Sequence, residues 1–273
     1  MSLHQKTIAR YFIREKHRYY VPISSRTVHP SHPITTPLDR FHKVLEKRWD
    51  YPAYMFNAVS GGHISALREH TANLYFAVID LKSYYETITD TKIHRSLRSV
   101  GVPHSEAFKL TGESTVRVGK KMQLPRGIHQ SSLLASLVFD RSLLGSLIRS
   151  KNLNSLITVY NDDIVMSSTC LEKLSKDFSL IIDAAKRSNF KINTKKTQSP
   201  RELVEVFNLL LSQHNISFSE KRIEKFVRDM LASKSFCRMN NYDYFSDLLH
   251  RHADYIVSID RKQFYALLKR ICG

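Results

Sequence analysis

Residues 74–79 (LYFAVI) form an unbroken apolar run that ends on Asp80, and this run limits the possible folds more than any other stretch. Continuous apolar character over that length predicts a strand buried on both faces of a sheet. Helical spacing follows at DTKIHRSLRSV. It returns over 131–148, where Leu133, Leu134, Leu137, Val138, Leu144, Leu147 and Ile148 recur at helical intervals. Residues 156–167 (LITVYNDDIVMS) hold two β-rich runs about a polar turn, which predicts a hairpin. Leu171, Leu174, Phe178, Ile181, Ile182 and Ala185 then predict another helix, and FKINTKKTQ a short strand with a basic loop. The order strand, helix, helix, hairpin, helix, strand predicts an α+β fold: a split βαβ unit with helices on one face of an antiparallel sheet.

The flanks are less legible. Pro22, Pro30, Pro33 and Pro37 make the stretch around them extended or looped. Phe41, Val44, Leu45 and Arg48 predict a short helix, and Gly61-Gly62 a turn. From residue 219 the pattern is helical, with Ser219 as N-cap for Ile223, Phe226, Val227, Met230 and Leu231, and further amphipathic stretches at 242–259 and 261–271. Three regions result: 1–73, 74–200 and 201–273.

Hydrophobic residues make up 42% of the 273, enough for a sizeable core. The net charge of +17 calls for a polyanionic partner, and nucleic acid fits better than a membrane surface. Cys170, Cys237 and Cys272 are widely spaced and odd in number, which argues against a disulfide framework and for a reducing, cytoplasmic setting. No run approaches membrane-spanning length.

The carboxylates carry the chemistry. Asp162 and Asp163 sit at the predicted turn, where strand alternation breaks and both side chains can approach one site. Turn chemistry alone accounts for an Asn/Asp sequence. Asp80, however, closes a buried strand, where a lone carboxylate costs several kcal/mol unless paired or metal-bound. If the strand neighbours the hairpin, three hard oxygen ligands converge in a set suited to Mg²⁺. Two such ions about 4 Å apart stabilise the attacking hydroxyl and the leaving pyrophosphate of an in-line nucleotidyl transfer.

Four ordered segments resemble the reverse transcriptase family. FAVIDLKSYYETI is similar to its first palm motif, QLPRGIHQSSLLASLVFD to its Leu-Pro-Gln-Gly motif and following helix, VYNDDIVMSS to its Tyr-x-Asp-Asp hairpin, and FKINTKKT to its Asn-x-x-Lys-Thr motif. The resemblance implies a right-hand polymerase palm over 74–200, reduced fingers over 1–73 and a small helical thumb over 201–273. It implies RNA-templated DNA synthesis with Asp80, Asp162 and Asp163 as catalytic metal ligands for two Mg²⁺ (or Mn²⁺). Leu81 would offer its backbone carbonyl to a metal or lie beside the triphosphate. Tyr85 would be the ring that excludes a ribose 2′-hydroxyl. Gly127 would admit the backbone close to nucleotide or template, and Lys196 would lie near the triphosphate.

The chain departs from the family pattern at Arg126, where glutamine is usual, at Ser132, where proline is usual, and at Ser136, where asparagine is usual. Arg126 would reach the nucleotide as a charge. Ser131 to Ala135 is similar to bacterial abortive-infection and phage-defence reverse transcriptases, which implies antiviral defence with a dedicated non-coding RNA. Arg26, Arg40 and Arg68 are the candidates in the fingers for holding the triphosphate. Lys221, Arg222, Lys225 and Arg228 are expected to contact phosphate without reading sequence. Untemplated or protein-primed synthesis by the same site remains open among the thirteen tyrosines, as does a non-catalytic RNA-binding subunit. A partner, either RNA or a second protein such as another copy of the chain, would complete the template channel.

Overall fold

Asp80 lies inside a strand, not at its end, because the extended run continues to Lys82. The computed structural model describes residues 43–118, 121–126, 129–150, 152–240, 255–257 and 259–272. Arg26, Arg40, Gly127 and the four prolines lie outside the described residues, as does most of the expected helix at 242–259. After a helical turn at 43–46, the chain forms α1 (Gly62–His70), β1 (Tyr75–Lys82), α2 (Asp90–Ser99), α3 (His104–Ser114), β2 (Val116–Val118) and β3 (Lys121–Gln123). It continues through α4 (His129–Asp140), α5 (Leu143–Arg149), β4 (Leu156–Tyr160), β5 (Asp163–Ser168), α6 (Leu171–Arg187), β6 (Lys191–Ile192) and β7 (Gln198–Arg201). Three short strands follow, β8 (Val204–Val206), β9 (Leu209–Ser212) and β10 (Asn215–Phe218), then α7 (Glu220–Asn240) and α8 (Arg261–Cys272).

The central sheet has five strands in the order β4-β5-β1-β6, with β7 also paired to β1. Its ladders are antiparallel, so the expected α+β palm is what forms. Both faces of β1 are covered, as the apolar run requires. Ala77, Ile79 and Leu81 face one core with Ile164, Met166, Ile93, Leu134 and Ile181. Phe76 and Val78 face a second core with Val165, with Ile64 and Leu67 of α1, and with Val204, Val206, Leu209 and Leu211. Each of the larger side chains among these (Val, Leu, Ile, Phe, Met), fully buried, contributes about 1.5–3 kcal/mol of transfer free energy.

The helical spacing over 131–148 does not run through one helix. α4 and α5 meet at 71°. Ser142 caps α5 by accepting a hydrogen bond from Gly145 N. Gly145 packs against the end of α4 so closely that a Cβ there would lie 2.4 Å from Phe139 O and 2.5 Å from Asp140 O. The corner therefore needs a residue without a side chain.

The region 201–273, expected to be a helical thumb, is helical only in part. Residues 204–218 form a separate three-stranded antiparallel sheet in the order β10-β9-β8. Its apolar side chains close over the second face of the palm. Helix follows from Glu220, and Ser219 O accepts from Arg222 N and Ile223 N at its start. Among the described residues no single helix is long and apolar enough to cross a membrane.

Candidate active site

Register brings the carboxylates together. Asp80 is directly opposite Asp163 in the β1–β5 ladder, and Tyr160 is opposite Asp163 across the hairpin. Residues opposed in a ladder project to the same face, so Asp80, Asp163 and Tyr160 share the face that carries Val78. The hairpin closes through Asn161 and Asp162, with Asn161 at φ 54°, a left-handed conformation that asparagine tolerates. The tip is tied back to β1, because Leu81 N donates to Asp162 O at 2.8 Å. Leu81 itself is buried in the core on the opposite face.

The turn after β6 wraps Asp80. Asn193 N donates to Asp80 O at 2.9 Å, and Asp80 N donates to Thr197 Oγ1 at 3.3 Å. Lys196, although largely exposed, reaches in to place Nζ 3.2 Å from Asp80 Oδ2. Asp80 is only 4% exposed, so this ammonium supplies the nearby charge that a buried carboxylate requires.

Burial raises Asp162 above the ordinary carboxylate range, and the negative charge of Asp80 adds to that. Burial also pushes Asp163 up to about 7, reinforced by Asp162 and Asp80 and opposed by Lys196. Crowded oxygen donors that resist ionising together are the pattern a divalent cation relieves. Among the described residues no three His, Cys, Asp or Glu side chains form a ready-made metal cage. The fit to a hard cation therefore rests on donor chemistry and mutual repulsion, in a set that waters and phosphate oxygens would complete.

Asp80, Asp163, Lys195 and Lys196 line a cleft of about 530 Å³ together with Gln198 and Phe207. Phe207 stands at the β8–β9 turn, with φ 56°, and its ring meets Tyr160 edge-on at 5.4 Å. Gly62 also lies against Tyr160. Its φ is 50°, and a Cβ would come within 3.2 Å of the ring.

The adjacent tyrosines diverge. Tyr84 is fully buried and donates to Ala135 O at 2.9 Å. Tyr85 is half-buried, and its hydroxyl donates to Asn161 Oδ1 at 3.4 Å, beside the hairpin tip. Arg126 is also near: its guanidinium raises the tendency of Asp162 to ionise. It is held by Glu86, with Nε 2.8 Å from Oε1 and Nη2 3.1 Å from Oε2. Of the expected site residues, Asp80, Asp162, Asp163, Tyr85, Arg126 and Lys196 therefore gather about one site. Leu81 joins it through its backbone. Arg68 lies exposed on α1.

Sequence reasoning missed Glu86, Asn161, Thr197 and Asn57. Asn57 Nδ2 donates to Ser136 Oγ at 2.7 Å and to Ser132 Oγ at 3.4 Å. The stripe Ser132, Ser136, Asp140, spaced for one face of a helix, was the available signal.

A family model described as reverse transcriptase (RNA-dependent DNA polymerase) matches residues 31–218, more than half of the chain. No curated protein matches. Similar solved structures include telomerase from Candida albicans in complex with a TWJ fragment of telomeric RNA. That match has 10% identity and a TM-score of 0.46, over 87% of this chain and 51% of that one. Another is the foamy viral protease-reverse transcriptase with double-stranded DNA, at 17% identity and TM-score 0.42, over 76% of this chain and 37% of that one. A third is the Candida tropicalis telomerase complex, at 12% identity and TM-score 0.46, over 99% and 48%. The chain spans about half or less of the length of these proteins.

Proposed function

Because the chain belongs to the reverse transcriptase (RNA-dependent DNA polymerase) family, we propose that it copies RNA into DNA at the site built on Asp80, Asp162 and Asp163. The observation that carries this reading is the ladder register, which sets Asp80 against Asp163 one residue from Asp162. Asp80 and Asp162 are the main ligands for divalent cations in this account, Mg²⁺ or Mn²⁺, with Asp163 completing the set and the Leu81 carbonyl beside it. When bound, two such ions polarise the nucleotide phosphate and lower the pKa of the primer hydroxyl.

The other side chains act on the substrate. Lys196, whose ammonium is already exposed, exchanges Asp80 for a triphosphate oxygen once a bound cation would take over the charge opposite the buried carboxylate. Arg126, aligned by Glu86, presents a fixed charge to the nucleotide sugar or phosphate. Tyr85 bars a ribose 2′-hydroxyl with its ring, and Gly127 gives the backbone room beside the nucleotide. Residues 1–73 serve as reduced fingers, 74–200 as palm and 201–273 as thumb. Lys221, Arg222, Lys225 and Arg228 are all exposed on α7, while Ile223, Phe226 and Val227 pack inward. That division leaves a cationic face for phosphate.

The biological setting in this reading is bacterial antiviral defence in the cytoplasm, with a dedicated non-coding RNA as template. Support comes from the Ser131–Ala135 sequence and the +17 charge. The test is to purify the chain from its host and sequence the nucleic acid that accompanies it, with Asp162→Asn alongside. One defined RNA with complementary DNA, the DNA missing from the variant, is the expected result. DNA that matches no RNA would replace this reading with untemplated synthesis, and RNA without DNA in either preparation with a binding subunit.

A further inference from the structure

The segment 49–57 lies along one polar stripe of α4. Trp49 Nε1 donates to Asp140 Oδ2 at 2.9 Å, and Tyr54 OH to Asp140 Oδ1 at 2.9 Å. Tyr51 OH is 3.3 Å from Ser136 Oγ, and Asn57 bonds both Ser136 and Ser132. The same segment is stitched to β4, since Val159 N donates to Tyr54 O and Phe56 N to Val159 O, each at 2.8 Å. It is thus held on two sides and ends beside the hairpin that carries the carboxylates.

The stripe does not stop at α4. Ser132 Oγ donates to Asn161 Oδ1 at 3.3 Å, and Tyr85 OH donates to the same oxygen at 3.4 Å. A continuous polar row therefore runs Ser136, Asn57, Ser132, Asn161, Tyr85. The last three contacts are long and hold the row more weakly than the Asn57–Ser136 bond does. Asn57 Oδ1 is buried with no hydrogen-bond partner among the described residues, so the bonds of this amide are those of Nδ2.

We propose that Asn57 is a positioning residue for sugar discrimination. Through Ser132 it orients Asn161, and Ser132 and Asn161 together hold the Tyr85 hydroxyl and with it the ring that faces the nucleotide sugar. This rests on the polymerase reading above. Tyr85 supplies the barrier, and Asn57 sets how firmly the barrier stands. Disrupting the row frees the ring without removing it, so a ribonucleotide is admitted more often while deoxynucleotide chemistry continues.

The experiment compares kcat/KM for a deoxynucleoside triphosphate with that for the matching ribonucleoside triphosphate on a primed RNA template. Asn57→Ala should lower the ratio about tenfold, the rate equivalent of one hydrogen bond. The change should come mainly from a lower KM for the ribonucleotide. Tyr85→Phe should give the same drop, and adding Asn57→Ala to it should give no further drop. An active wild type whose ratio is unchanged in Asn57→Ala would overturn the proposal. So would a drop that adds fully to that of Tyr85→Phe. A wild type that incorporates nothing would overturn the polymerase reading itself and the proposal with it.

Discussion

Neutralising the pH response of His70 should change stability by an amount that can be calculated. His70 ends α1 and is fully buried, with Nδ1 2.7 Å from Ser167 Oγ on β5 and Nε2 2.7 Å from Thr158 Oγ1 on β4. It joins α1 to two strands of the central sheet. Burial pushes its pKa from 6.5 down to about 3. Between those values the unfolded chain binds the proton and the folded chain does not, so stability falls as pH falls. Each pH unit is worth about 1.4 kcal/mol, so the His70 contribution lost by pH 5 is about 2 kcal/mol and the full loss near pH 3 approaches about 5 kcal/mol. That is a large part of a typical domain stability of about 5–15 kcal/mol. His70→Gln keeps a donor and an acceptor and carries no charge. Urea unfolding followed by fluorescence of Trp49, the single tryptophan and a core residue, would give stability from pH 7.5 to 5. The difference between wild type and variant cancels the contributions of other groups. It should shrink by about 2 kcal/mol over that range. A difference that stays constant with pH would refute the assignment of His70 as a buried neutral brace.

Gly145→Ala should destabilise the chain by about 1–3 kcal/mol through overpacking at the α4–α5 corner, and an unchanged thermal midpoint would mean the corner is not that tight. Lys196→Gln removes the ammonium from Asp80, so Mg²⁺ should raise the melting temperature of the variant by more than it raises that of wild type; equal or smaller rises in thermal-shift measurements would detach Lys196 from the carboxylate site. Reversing Lys221, Arg222 and Lys225 to Glu should weaken RNA binding and flatten its dependence on salt, by roughly one unit of log–log slope for each phosphate no longer neutralised. Fluorescence anisotropy across a salt series reads both, and unchanged values would remove α7 from the binding surface.

The legible parts of the fold are those where local pattern and tertiary demand agree. The run 74–79 signals a doubly buried strand because both of its faces are covered. The Asn161-Asp162 turn is legible because its residues suit a tight reversal between apolar runs. The strands at 204–218 were hidden for the opposite reason. Their turns place Phe207, Asn208 and His214 at φ 56°, 62° and 56°, where a glycine would have announced the reversal. The strands themselves hold three or four residues each, too few for alternation to stand out. The break between α4 and α5 was hidden because apolar spacing continues across it.

The site divides in the same way. Asp80, Asp162 and Asp163 could be named because each sits at a recognisable place in a strand or turn. Asn57 and Glu86 could not, because their partners lie 75–79 and 40 residues away in sequence. Asp140 is the clearest example. Its carboxylate accepts from Trp49 and Tyr54 and pairs with Arg149 and Arg141. In sequence it is one acidic residue at the end of an apolar helix.

The most direct test of the account is primer extension on a defined RNA template, with Mg²⁺ and all four deoxynucleoside triphosphates, comparing wild type with Asp162→Asn. The account predicts DNA complementary to the RNA from wild type and none from the variant, with RNA affinity retained in both. Equal synthesis by the two proteins, or none by wild type on any primed RNA with Mg²⁺ or Mn²⁺, would contradict it.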